Sequence, residues 1–421
     1  VTSVSTVSPP EHAAFWVGMH EPFLERASDP ELAGDDRIAL AGFLTLRFAD
    51  RAGDFREEEK EALAYQARAT NDYLDDLEPS EEVTHLREIV RVATAVGRGK
   101  STHLLSAPLL AFAYWLEQEL RLAEALDVVE TAQRIKGLTP SEVVRSSLQQ
   151  ARIQRLTGRL DEARRTYAAA GARAEEMGDR HSVLLSRIGD AIVSRQLGNL
   201  PASESALRDV LKRAEACGDE DAQARAHHDL GLVVLYRGRA QESVPHLHQA
   251  FEMYEQRSYK VRALSDIGEA FKRLGHYSAA RDAFRLVMSA ATQQMRAYTM
   301  VALLELSALS RDRVAFARWR RELEQVRQQL PPERLVDYDL QVGLGLIAFG
   351  EHRKARQYLK DAVSNAERFG IHEYGFMAER ALKELDEIQA GTATTKAAAI
   401  PPEFSDEVAN VAEKLCLLHT I

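Results

Sequence analysis

The chain has only two cysteines in 421 residues, Cys217 and Cys416, which excludes a disulfide framework, and neither stands in a C-x-x-C metal spacing. No stretch reaches the ~18 uninterrupted apolar residues of a membrane-spanning helix. The opening VTSVSTVSPPEH has neither the basic start nor the apolar run of a signal peptide. A reducing, cytoplasmic setting with no membrane partner is therefore expected. Aromatic residues make up 7% and Val/Ile/Thr alternation is scarce, whereas Ala, Leu, Arg and Glu dominate, so the chain reads as all-α. Positive charge is in deficit, 54 Lys and Arg against 64 Asp and Glu, and the formal net charge of -10 argues against indiscriminate nucleic-acid binding.

Catalytic motifs are missing as well. There is no H-E-x-x-H, G-x-S-x-G or G-x-G-x-x-G. TAVGRGKST at 94–102 ends like a phosphate-binding loop in Gly99-Lys100-Ser101, but Thr94 occupies the first required glycine position. The segment also follows a helical pattern instead of a strand, so it reads as an inter-helix turn. His227, His228, His246 and His248 crowd one segment. Adjacent side chains on a helix diverge by about 100°, and no Cys or clear carboxylate completes a ligand set, so these are read as solvated or hydrogen-bonded histidines. No metal, cofactor or catalytic residue is expected.

What the sequence does contain is a ladder of turns. Gly158, Gly198, Gly238, Gly275 and Gly350 each close a helical stretch, and five residues later stand Ala163, Ser203, Ser243, Ala280 and Ala355. The first three intervals are 40, 40 and 37 residues, and the last, 75, is two units whose middle anchor has lost its glycine near Arg311. Seven residues before each anchor stands a small residue, Ala151, Ala191, Gly231, Gly268 or Gly343. Nine after comes a large one, Tyr167, Leu207, Leu247, Phe284 or Leu359. With Ala170, Val210, Ala250, Val287 and Ala362 twelve after, the five, nine, twelve pattern lies on one face of a helix, so each unit is expected to be an antiparallel helix pair. Leu120, 38 residues before Gly158, fits as a degenerate anchor. A second set, Gly178, Gly218 and Gly370, stands twenty residues past an anchor, where the second helix should end in a left-handed cap.

With LGHYSAARDAF at 274–284 as its best match, the chain resembles the tetratricopeptide repeat family, in a longer-repeat form seen in bacterial signalling regulators and peptide receptors. The resemblance implies a right-handed superhelical solenoid of antiparallel helix pairs, with atypical N-terminal helices and a C-terminal tail helix. Residues 1–100 are read as an N-terminal helical cap or worn repeats, and 101–390 as the array. Residues 391–402, GTATTKAAAIPP, read as a linker, and 403–421 as an amphipathic tail helix whose Phe404, Val408, Val411, Leu415 and Leu418 share one face.

In that family the first helix of each pair lines a concave surface. Counting back thirteen, ten, six, three and two residues from the anchors places Arg145, Arg152, Arg155, Arg195, Arg225, His228, Tyr236, Arg262, Glu269, Lys272 and Arg273 on it. The resemblance thus implies a basic groove for an acidic or carboxylate-bearing peptide, held by the planar fork of arginine. Tyr236, with Leu232 and Leu235, would offer an apolar patch to a ligand side chain.

The expected function is a non-enzymatic protein- or peptide-binding scaffold. The chain's own C-terminal tail is a further candidate occupant of the groove, competing with the true ligand. The alternative is a ligand-sensing regulatory module that relays a conformational change to a transcription or signalling partner. Partner identity is not legible, and a homo-oligomer stays open.

Overall fold

The computed structural model describes residues 12–16, 34–54, 60–290, 293–390 and 403–418; the linker expected at 391–402 lies outside them. The described residues form nineteen α-helices and no strand, and the fold class is an all-α helical-repeat solenoid. No helix among them is long and apolar enough to cross a membrane. The chain divides into two compact units, 1–199 and 200–421.

In the first unit α1 (Gly34–Gly53), α2 (Lys60–Asp75) and α3 (Glu81–Val96) precede the pairs α4 (Ser106–Gln118) with α5 (Leu122–Arg134) and α6 (Pro140–Leu156) with α7 (Leu160–Glu176); α8 (Arg180–Gln196) follows. Side-chain chemistry sets where these helices start. Ser80 caps α3 by accepting a hydrogen bond from Val83 N at 3.2 Å. Thr139 and Glu142 form a reciprocal capping box on α6, with Pro140 in its first turn. The off-template helices α1 to α3 share one apolar core with α4 and α5, through Phe48, Leu86, Ile89, Phe112 and Val128.

The second unit runs α9 (Leu200–Cys217), α10 (Glu220–Tyr236), α11 (Ala240–Met253), α12 (Arg257–Leu274), α13 (Tyr277–Ala290), α14 (Gln293–Leu309), α15 (Arg313–Val326), α16 (Pro332–Ala348), α17 (His352–Phe369), α18 (His372–Gln389) and α19 (Asp406–Leu417). Helices α10, α12, α14 and α16 are the first members of successive pairs, and α11, α13, α15 and α17 the second.

The turn ladder is present in the backbone. All five anchor glycines are left-handed, with φ between 76° and 81°. The next residue closes the turn onto the carbonyl five back, as Arg239 N does onto Val234 O at 2.9 Å. The two degenerate anchors behave alike, because Leu120 and Arg311 hold φ of 59° and 57° and are followed by the same bond. Gly178, Gly218 and Gly370 are left-handed at the ends of second helices.

Within a pair, the small residue lies under the large one. A Cβ on Gly231 would stand 2.7 Å from Leu247 Cγ, and one on Gly343 would stand 2.6 Å from Leu359 Cγ. Hydrogen at these positions is what lets the two helices approach so closely.

Helix α19 is capped by Ser405, buries Val408, Val411 and Leu415, and leaves Leu418 exposed past its end. It docks on α11 and α13. Gln241 of α11 donates to Glu403 O at 3.1 Å and accepts from Ser405 N at 3.0 Å, while Phe404 packs against His276 with ring centroids 4.5 Å apart and planes inclined by 35°. The tail therefore lies on second helices, not on the first-helix face where self-competition would have placed it. Its apolar stripe is covered by the second helices of two adjacent pairs.

Candidate functional site

In the second unit, the positions counted back from the anchors join successive first helices. Arg225 of α10 bonds Asp221 one turn back at 2.7 Å, and its guanidinium lies 4.7 Å over the ring of Tyr259 on α12. His228, buried, places Nε2 2.7 Å from Asp266 of α12 and Nδ1 3.1 Å from the hydroxyl of Tyr254. Arg273 of α12 lies 5.4 Å over Tyr236 of α10, which is 52% exposed. Leu235 beside it is buried, so no apolar patch of the expected extent is open there. Arg262 is exposed on α12.

Lys272 extends the ladder to α14, donating to Glu269 at 2.8 Å and to Glu305 at 2.5 Å. Burial opposes its charge, but Glu305 and Glu269 outweigh that and hold the ammonium above the usual lysine range. One ammonium cannot satisfy every carboxylate near it. Burial, with repulsion from Glu269 and Asp337, holds Glu305 above the usual carboxylate range, and burial does the same to Asp337. Farther along, Arg334 of α16 bonds Asp337 at 2.9 Å and lies over Tyr298 of α14 and Tyr374 of α18, at 4.8 and 5.9 Å.

The first unit repeats the motif on a smaller scale. Arg152 of α6 pairs with Glu117 of α4 at 2.5 Å and lies 5.8 Å over Tyr114. Arg155 lies against the hydroxyl of Tyr167. Arg145 is exposed, and Arg195 is half-buried on α8.

Each of these two faces is thus a mixture of matched charges and not uniformly basic, because carboxylates from the same or the neighbouring first helix meet Arg152, Arg225 and Lys272. Tyr298 and Glu305 escaped the sequence count. They stand thirteen and six residues before Arg311, so extending the count to that degenerate anchor retrieves both.

The two motifs set aside on sequence grounds have plain structural roles. Residues 97–100 form a turn after α3, with Lys100 N closing onto Ala95 O at 3.1 Å and helix on both sides. His227 and His246 face each other with Nδ1 atoms 3.0 Å apart, while His228 turns to Asp266. Burial, with the charges of His227 and Arg208, pushes His246 down to about 4. Among the described residues, no group of three or more His, Cys, Asp or Glu side chains is placed to hold a metal.

A model of the tetratricopeptide repeat matches residues 183–256 and 222–293. No curated protein matches the chain. Among solved structures, the Rap conjugation gene regulator of the plasmid pLS20, in complex with the Phr* peptide, is similar over 85% of this chain and 99% of its own, with 12% identity and a TM-score of 0.50. A Rap protein complexed with Competence and Sporulation Factor is similar over 85% and 99%, at 13% identity and a TM-score of 0.47. A tetratricopeptide repeat protein from Parabacteroides merdae covers 65% of this chain with 98% of its own, at 17% identity and a TM-score of 0.40.

Proposed function

We propose, for a chain that belongs to the tetratricopeptide repeat family, a non-enzymatic role in the cytoplasm: it binds a carboxylate-bearing peptide segment of a partner protein along its first helices. One observation carries this reading. Arg225–Tyr259, His228–Asp266 and Lys272–Glu305 hold α10, α12 and α14 together as a rigid polar face, and Arg262 and Arg273 stand exposed on that face. Side chains already fixed by neighbours lose little freedom when a ligand arrives. Arg273, laid over Tyr236, presents its guanidinium in one orientation, and guanidinium is the side-chain group suited to bidentate capture of a carboxylate.

The paired residues Arg225, His228, Glu269 and Lys272 form the wall, and Tyr236 the apolar shoulder. In the first unit, taken by itself, Arg145, Arg152, Arg155 and Arg195 are the residues that would meet such a segment. A regulator of similar fold held in complex with a peptide fits this use of the fold.

Panning a random peptide library on the immobilised full chain tests the proposal. Selected peptides should carry Asp, Glu or a free C-terminus and should lose roughly tenfold or more in affinity for an Arg262→Glu, Arg273→Glu variant, as expected for loss of a charge-assisted hydrogen bond. Peptides without carboxylates, or equal affinity for the variant, would contradict it.

A further inference from the structure

The position of α19 has a counterpart one step along the array. Helix α19 lies on the second helices α11 and α13, with Asp406 and Glu407 in its first turn and Val408, Val411 and Leu415 beneath it. The next second helix is α15. Between α13 and α15, above α14, a cavity of about 400 Å³ is open, and among the described residues none of the tail lines it.

Its floor is apolar and its rim is cationic. Leu303 and Leu306 of α14 are buried beneath it, and Trp319 of α15 forms one wall. Val314, also lining it, is 82% exposed, an apolar side chain left in water at the edge of an apolar hollow. Arg281, Arg285 and Arg318 stand around the opening. The single carboxylate in the lining, Asp312, is occupied as the cap of α15, accepting from Ala315 N at 2.9 Å. The arginines are only loosely matched. Arg285 comes no closer than 3.9 Å to Asp282, and Arg318 bonds Glu322 one turn along its own helix at 2.9 Å while lying over Trp319. Surface pairs within one helix are weak and exchange readily.

We infer that this seam is a second docking surface, and that it takes an amphipathic helix with a carboxylate-rich first turn, supplied by a partner protein. Two observations select that occupant. The neighbouring seam, which shares α13, already seats a helix with an acidic first turn and an apolar stripe in this same chain. The rim charge complements such a helix, three guanidinium groups on a protein whose net charge is -10. This surface lies between the second helices α13 and α15 over Leu303 and Leu306 of α14, and it shares no residue with the first-helix positions Tyr298 and Glu305.

The test uses the full chain and, as probe, a labelled peptide of residues 403–418, which represents the class. A chain holding its own α19 should bind one further peptide. Affinity should fall tenfold or more in Arg281→Glu, Arg318→Glu, and should weaken at about 0.5 M salt, where charge steering is screened. It should stay unchanged in Gln241→Ala, which alters only the seat of α19. Both arginines are exposed, so an unchanged melting temperature will confirm that the variant folds. Absence of binding, binding indifferent to the arginine variant, or binding changed only by Gln241→Ala, which marks exchange with α19, would each overturn the inference.

Discussion

The ring of Phe284 lies against the backbone of Gly268, so close that a Cβ there would stand 2.7 Å from Phe284 Cε1. Phe284 is fully buried and its ring is not the free end of a flexible chain. Gly268→Ala should therefore cost about 1–3 kcal/mol by overpacking, measured by urea unfolding. Phe284→Leu in the same chain should return part of that loss, because the two sites share one contact. Additive losses would show that this contact does not hold the pair together.

Leu120 takes the left-handed turn conformation that its counterparts take with glycine, and its side chain is 62% exposed. Relief of that strain is worth about 1–2 kcal/mol, offset in part by the greater freedom of glycine in the unfolded chain. Leu120→Gly should raise the melting temperature, and Gly158→Ala should lower it.

His12 lies between Asp127 and Asp50, at 2.8 and 2.9 Å. Burial disfavours its charged form, but hydrogen bonds to both carboxylates and their charges outweigh that, and His12 is pushed up to about 9. Its folded value thus lies above the unfolded value of about 6.5. The stabilisation it supplies is fully present below about pH 6.5 and is lost as pH rises through about 9. Asp127→Asn should move the titration of His12 downward, followed by NMR, and should flatten this alkaline loss of stability.

Because α19 sits on α11 and α13, removing residues 403–418 should leave peptide affinity at the first-helix face unchanged. Val411→Asp should release the helix while the array stays folded, seen as protease sensitivity confined to the tail. A rise in affinity on removal would restore the idea of a tail competing for the groove.

The turn ladder was legible because left-handed backbone favours glycine, and where Leu120 and Arg311 replace it, the spacing still marks the place. Small-over-large packing was legible for a steric reason, since a large side chain can lie against the facing helix only where that helix carries a small residue, as Gly231 does under Leu247 and Gly343 under Leu359. The charge character of the first-helix face was not. Counting along one helix does not reveal partners contributed by the next, such as Glu117 for Arg152 or Glu305 for Lys272. The stripe of Val408, Val411 and Leu415 announces that a helix must dock, but many surfaces can satisfy it, so the choice of α11 and α13 needed coordinates.

Hydrogen–deuterium exchange of the full chain, with and without a selected carboxylate-bearing peptide, tests most directly whether the first helices form the binding face. Protection should appear along α10, α12 and α14 around Arg262 and Arg273, with α11, α13 and α15 unchanged. Protection confined to the second helices, or none at saturating peptide, would contradict it.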